Sequence, residues 1–414
     1  YRNDPEIKDA EIIKNVTSYI ENNNKKNIWL CQNTIDYYFD NFNDAFKLAN
    51  NGDVICVSEM HELPSNYNTI TVEKNITLVF DGHSEIVVPA DVTLFNVANG
   101  GTLTIKSGNF NGNGSISEFD KTIKANNPLA ITSRDDTYRN DKNLFTVNGV
   151  SKLIFENCSI KNFICLSKDA SKENVKCSSI VYARGKGNQD NKCDVIFKNT
   201  LISNNIGMTG TIVDSEYTRL TINNSTITDN FSVRNSNHGL FKMYYESKAY
   251  FNGSTFTNNV YTGNGGLIGL WGGTELIIDQ ACSFTSNIGG IFEGDLLGEI
   301  TDNGHFGLIY AHSTSMVKLI DGEFANNEIY SWQSYTDLED RCNDIETTEQ
   351  ELINKVNSCR GNIRMVGIID INWNAYHTDI QCGVTVSGGK FKDNYFIYTD
   401  GAKFKTAISI HSTP

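Results

Sequence analysis

Hydrolysis of a glycosidic bond needs two carboxyl groups about 5–9.5 Å apart, one protonated and one ionised. Eliminative cleavage of a uronate instead needs carboxylates around calcium and a basic residue to take the proton. The sequence offers few such sets. The position that follows a recurring G-[LI]-[FI] segment is, in order, Tyr182, Asp214, Lys242, Gly269, Tyr310 and Asp370, so its two acids are separated by three other residues of the series. "SRDDTYRND" (133–141) gathers Asp135, Asp136 and Asp141 with Arg134 and Arg139, in a stretch that reads as a loop. The seven histidines show neither HxxxH nor HExxH spacing, and no G-x-S-x-G elbow or phosphate-binding Gly-Lys-Ser loop occurs. No catalytic set, metal-ligand set or cofactor site is expected from these patterns.

Binding chemistry is better supplied. Two positions beyond that series stand Tyr244, Trp271 and His312, with Tyr245 and Trp373 beside them, and together they predict a stripe of rings on one face. Flat rings stack on sugars and anchor protein interfaces, because they bury much area with little freedom to lose. Mutual packing of the rings is the competing expectation. Candidate N-glycosylation sequons start at Asn15, Asn75, Asn157, Asn223, Asn224 and Asn252. Ten cysteines lack zinc-type spacing, so disulfides are expected, with Cys31–Cys56, Cys165–Cys177 and Cys342–Cys359 as candidate pairs. Disulfides in turn imply an oxidising, extracellular or cell-surface location.

These groups need a scaffold that brings distant residues into register, and the sequence repeats. "TLTIKSGNFNGN" (102–113), "KLIFENCSIKNF" (152–163), "DVIFKNTLISNN" (194–205), "RLTINNSTITDN" (219–230), "KAYFNGSTFTNN" (248–259), "MVKLIDGEFANN" (316–327) and "GVTVSGGKFKDN" (383–394) share one template. It has two alternating apolar positions, a polar turn, one apolar residue, and usually Asn three residues later. "LIIDQACSFTSN" (276–287) adds one residue to the turn. A second template alternates with it: "GTIVD" (210–214), "GLFKM" (239–243), "GLIGL" (266–270), "GLIYA" (307–311) and "GIIDI" (367–371). About three short strands per period follow, and strands this short must share a core with neighbouring periods. The expected fold is all-β, a right-handed single-stranded parallel β-helix with strands about 4.8 Å apart. Asn113, Asn205, Asn230, Asn259, Asn287, Asn327 and Asn394 then fall at equal depth and predict a ladder of side-chain amides, which would leave Asn113 and Asn230 unglycosylated.

"FTNN", "FTSN", "FANN" and "FKDN", alternating with "GGLI" and "GGIF", resemble the FxxN and GGA[ILV] repeats of the chlamydial polymorphic membrane proteins. The resemblance covers roughly residues 100–400 and implies a pectin-lyase-like β-helical passenger domain with an adhesive role. The GGA form itself is missing, and so is a carboxy-terminal membrane barrel.

Residues 1–50 read as an N-terminal helical cap and lead-in segment, with helical spacing over 4–23 and a short helix, an Asn-Gly turn and a first buried strand over 40–58. Residues 51–414 read as the β-helix, with insertions near 115–141 and 330–362. "YFIYTDGAKFKTAISIHSTP" (395–414) still alternates, as if a further turn of the helix were beginning without a cover. The chain starts at Tyr1 without methionine or a signal-like stretch, as a processed piece would. A net charge of −14 argues against nucleic acid and anionic membrane surfaces as partners, and no apolar run is long enough for direct membrane insertion. The expected function is non-enzymatic: a surface or filament-forming, structural or adhesive rod that binds a host or cell-surface protein or glycan, or its own copies. The alternative is a lyase or hydrolase of uronate-type polymers.

Overall fold

Each copy of the first template becomes two strands, one on either side of its polar turn, as in Lys248–Asn252 and Thr255–Thr257. The second template supplies a third strand, as in Phe241–Tyr244 and Ile268–Trp271. A fourth, unanticipated strand follows the template Asn, as in Ile206–Gly207, Val260–Gly263 and Ile288–Gly290. Segments this short have no room for an alternation that a sequence pattern could reveal. The computed structural model describes residues 28–32, 35–59, 62–63, 67–114, 142–165, 178–187, 191–207, 209–235, 239–263, 266–290, 307–330, 367–374, 383–398 and 401–413.

Equivalent strands of successive repeats pair side by side and, between repeats, in parallel. They build sheets of twelve, ten, nine and eight strands among the described residues. The register follows the templates: Phe256 pairs with Ile227 on one side and with Phe284 on the other. Like residues therefore stack on like. Phe256, Phe284, Phe324 and Phe391 form a column with ring centroids 4.5, 4.6 and 4.9 Å apart and planes within 8°. Leu103, Leu153, Val195, Leu220, Ala249, Leu276 and Val317 form another column, each at most 1% exposed. One continuous hydrophobic cluster runs from Ile28 to Tyr398. Burying each such side chain is worth roughly 1.5–3 kcal/mol, so the stacked repeats supply the core that no single repeat could.

Polar ladders line the turns of this core. Asn205 Nδ2 donates to Asn230 Oδ1 at 2.9 Å, and the same bond links Asn230 to Asn259, Asn259 to Asn287, Asn287 to Asn327 and Asn327 to Asn394 at 2.8–3.0 Å. Each Nδ2 also reaches a carbonyl of the preceding repeat, as Asn259 does to Ile227 O at 2.8 Å. Six of the seven expected asparagines form this ladder. Asn113 does not: it is exposed, with φ at 56°, because the flanking Gly112 and Gly114 take the backbone bonds to Lys161 O and Asn162 O. The rung below Asn205 is Phe163, whose N–H donates to Asn205 Oδ1.

The expected disulfides Cys31–Cys56 and Cys165–Cys177 are corrected. Cys56, Cys158, Cys165, Cys193 and Cys282 are buried thiols. The strand register places Trp29, not Cys31, opposite Cys56. Cys158 and Cys282 stand at the turn position that Thr200, Ser225 and Ser254 hold in other repeats. Cys158 Sγ donates to Ile105 O at 3.4 Å, as Thr200 Oγ1 does to Phe155 O at 3.5 Å and Ser254 Oγ to Ile222 O at 3.2 Å. Cys193 occupies a second such corner, 3.1 Å from Thr218 Oγ1. A thiol here replaces a hydroxyl in a ladder, which is a packing role. Cys177, Cys342 and Cys359 lie outside the described residues.

At the amino-terminal end the expected short helix spans Phe42–Leu48, with Asn41 Oδ1 accepting from the Asp44 N–H. Its Phe42 and Phe46 pack on Phe95 with centroids 6.2 and 5.4 Å apart. The first buried strand follows at Val54–Val57. Strands Ile28–Gln32 and Ile35–Phe39 add an antiparallel hairpin to the edge of the twelve-stranded sheet, which the sequence reading did not anticipate. At the other end Ile408–Thr413 joins the ten-stranded sheet as its last strand, and Lys403–Lys405 folds back antiparallel on Tyr395–Ile397. The helix expected over 4–23 and both insertions lie outside the described residues.

Candidate binding face on the ten-stranded sheet

The positions of the ten-stranded sheet that point away from the core fall into two columns, in which Gly269, Tyr310, His312 and Asp370 are nonetheless buried. Register pairs Tyr182, Asp214, Lys242, Gly269, Tyr310 and Asp370 in one, and Arg184, Glu216, Tyr244, Trp271, His312 and Asn372 in the other. The expected ring stripe is therefore in register for Tyr244, Trp271 and His312. Trp373 is one position beyond the column, as expected for a residue beside it, opposite Ser412, and Asn372 holds the column position.

Trp271 lies on His312 with centroids 3.9 Å apart and planes at 26°, and Tyr244 is 6.1 Å from Trp271. His312 is largely buried, and its Nδ1 hydrogen-bonds Ser313 Oγ. This half of the stripe packs on itself, as the competing expectation had it. The other half faces outward. Tyr245 is 44% exposed and stacks on Tyr217 with centroids 5.7 Å apart. Tyr217 escaped the sequence reading.

The backbone of these two tyrosines is unusual. Both are left-handed, with φ at 49° for Tyr217 and 47° for Tyr245. At the same junction, Gly149, Gly272 and Ser313 have φ at 72°, 69° and 49°. Glycine adopts that conformation without penalty, whereas a bulky side chain there is an outlier that costs on the order of 1 kcal/mol or more. A tyrosine written where neighbouring repeats write glycine was the signal that could have found Tyr217.

Charges flank the rings. Arg184 Nη2 is 2.8 Å from Asp214 Oδ1, its Nη1 donates to Asp214 O at 3.0 Å, and its guanidinium lies 3.8 Å over the Tyr182 ring. Lys242 Nζ is 3.3 Å from Asp214 Oδ2 and 4.8 Å from the Tyr244 ring centre. Burial, followed by the nearby Asp214 and Tyr245, pushes the Tyr244 phenol up to about 12, so it stays a hydrogen-bond donor at neutral pH. Asp214 and Asp370 stand four strands apart, roughly 19 Å at about 4.8 Å per strand. That separation exceeds the reach of any paired-carboxylate step between them.

The sequons of the polar turn sit elsewhere. Asn75, Asn157 and Asn224 are exposed, Asn223 and Asn252 are half-buried, and Asn252 Nδ2 donates to Asn223 Oδ1 at 3.1 Å. Asn230 is fully buried in the ladder. Asn15 lies outside the described residues, as does the acidic loop 133–141. No group of three or more His, Cys, Asp or Glu side chains arranged to hold a metal ion occurs among the described residues. Comparison with protein-family models, with curated proteins and with solved structures finds no match for the chain, which leaves the parallel sheets and this face as the ground for a functional reading.

Proposed function

We propose that the chain is a non-enzymatic rod, a right-handed parallel β-helix closed by an N-terminal helical cap, that presents the Tyr217–Tyr245 pair, backed by Tyr244 and Trp271, to a glycan at a cell surface. The observation that carries the reading is the pair of stacked tyrosines held in left-handed backbone where adjacent repeats place glycine. Two stacked aromatic side chains held in that backbone support a binding role, because a small residue, such as Ser313 at the same junction, would serve the turn alone. Ring faces take the C–H face of a pyranose, and the neighbouring Arg184, Asp214 and Lys242 take its hydroxyls. Rings on adjacent repeats recur at the strand spacing, which suits a polymeric ligand better than a single sugar. The FxxN-type repeats support the same reading through their resemblance to adhesive passenger domains, and the exposed sequons fit an extracellular glycoprotein. Binding to an immobilised oligosaccharide panel tests it. The chain should be retained on a subset of glycans, and Tyr217→Gly with Tyr245→Gly should weaken retention about thirtyfold, the loss of roughly 2 kcal/mol typical of an aromatic anchor. Retention unchanged by the double substitution would remove the face from the reading.

A further inference from the structure

The ring face carries its charges in pairs. Arg184 Nη2 lies 2.8 Å from Asp214 Oδ1 and its Nε 3.5 Å from Glu216 Oε1, while Lys242 Nζ lies 3.3 Å from Asp214 Oδ2. Nη1 of Arg184 donates to the carbonyls of Ala183 and Asp214, at 3.1 and 3.0 Å. These four side chains are 15–30% exposed, so the pairs are sheltered yet reachable from outside.

Cations near the tyrosine pair are held in the same way. Lys192 Nζ donates to the carbonyl of Glu246, the residue after Tyr245. Arg219 Nε lies 2.6 Å from Asp194 Oδ1, and Lys248 Nζ lies 2.6 Å from Glu275 Oε2. Lys186 leans away, its Cε 3.5 Å from where a Cβ would stand on Gly149, two strands from Tyr217. The Tyr244 phenol is pushed up first by burial and then by Asp214, Tyr245 and Glu216, so a negative charge beside that ring is disfavoured.

An anionic sugar calls for an uncommitted guanidinium fork or ammonium. On this face its charged group would have to displace Asp214 from two cations at once and leave a sheltered carboxylate unpaired. A hydroxyl makes no such demand. It donates to the outer lone pairs of Asp214 and Glu216 and accepts from the outer N–H groups of Arg184 and Lys242, with the ion pairs left in place.

Resting on the glycan reading of this face, we infer that its ligand is an uncharged polysaccharide and that sulfated, sialylated and uronate-bearing chains are rejected. The hydroxyls lie along the Arg184–Asp214–Lys242 row, and a chain running along the stack meets Tyr217 and Tyr245 in succession.

Retention of the wild-type chain on two matched oligosaccharide panels tests this, one uncharged and one with the same backbones bearing sulfate or uronate groups. Both are run at about 10 mM and about 1 M salt, where the screening lengths are about 30 and about 3 Å. Retention should be about tenfold or more stronger on the uncharged panel at both salt concentrations, and should change less than about twofold between them. Asp214→Asn with Glu216→Gln releases Arg184 and Lys242 and should shift retention towards the sulfated chains in a salt-sensitive way. Stronger wild-type retention on the acidic panel, or retention lost at high salt, would overturn the inference and leave the face a glycan site. An unchanged preference in the variant, with a wild-type circular dichroism spectrum, would overturn it as well. Absence of retention on both panels would overturn the glycan reading itself and this inference with it.

Discussion

At the residue scale, the ladder asparagines and the core thiols do the structural work. Asn259 Oδ1 accepts from Asn230 Nδ2 and from the Asn230 N–H, while its Nδ2 donates to Asn287 Oδ1 and Ile227 O. Asn259→Ala takes four buried hydrogen bonds from the two flanking repeats at once, those to the Asn230 N–H, Asn230 Nδ2, Ile227 O and Asn287 Oδ1. A loss of about 4 kcal/mol is expected in urea unfolding, since each stranded group costs roughly 1–3 kcal/mol and some relax. Asn259→Asp should be no milder, because it replaces a donor by a buried acceptor facing two oxygens. The thiols set the alkaline limit. Burial raises Cys158 from 9.0 to about 12 and Cys193 from 9.0 to about 11. Folded-state values above the unfolded ones mean that stability is intact below about pH 9 and is lost as pH rises through these values. On the acid side, hydrogen bonds from Lys161 and then Asn111 hold Glu85 below its usual 4.5, so its contribution is present above that pH and lost below it. The urea midpoint should therefore be flat from about pH 5 to about pH 9 and fall on both sides. A midpoint that rises above pH 9 would contradict the burial of these thiols.

At the element scale, the turns decide which strands can stack. Gly289 belongs to Ile288–Gly290 of the eight-stranded sheet, and a Cβ there would lie 1.9 Å from the Tyr261 ring. Tyr261 is fully buried and has nowhere to move. Gly289→Ala should lower the melting temperature by several degrees, as a loss of 2 kcal/mol or more would. Gly187→Ala meets no atom within 4 Å, but its φ of 48° confines its cost to backbone strain of about 1 kcal/mol. How much of this was legible follows from the same physics. Strands with period-two alternation and a polar turn were readable, because Leu153, Phe155 and Ile160 repeat their chemistry in every period. The fourth strand was not, since Ile206–Gly207 is too short to alternate. The Cys31–Cys56 and Cys165–Cys177 expectations failed because an even count of cysteines was read as pairing, whereas Cys158 and Cys282 share a turn position with Thr200, Ser225 and Ser254 that marks them as rungs. Asn113 failed because its flanking glycines allow a backbone excursion that a four-residue motif does not encode.

At the scale of the whole molecule, parallel stacking turns a sequence period into a surface period. Interior columns become ladders, and exterior columns become a face on which Tyr182, Arg184, Asp214, Lys242, Tyr244 and Trp271 meet from four successive repeats. Of that face, the sequence showed Tyr244, Tyr245 and Trp271, because alignment of the second template puts them in register. It hid Tyr217, because the left-handed junction before Thr218 belongs to neither template. The proposed role of this face is to bind a glycan. The most direct test sets the wild-type chain and the Tyr217→Gly, Tyr245→Gly variant side by side on one oligosaccharide panel, with the melting temperature of each recorded. The account predicts selective glycan retention by the wild type, about thirtyfold weaker retention by the variant, and stabilities within about 1 kcal/mol because glycine relieves the backbone strain. No retention by the wild type, or equal retention by both chains, would contradict it.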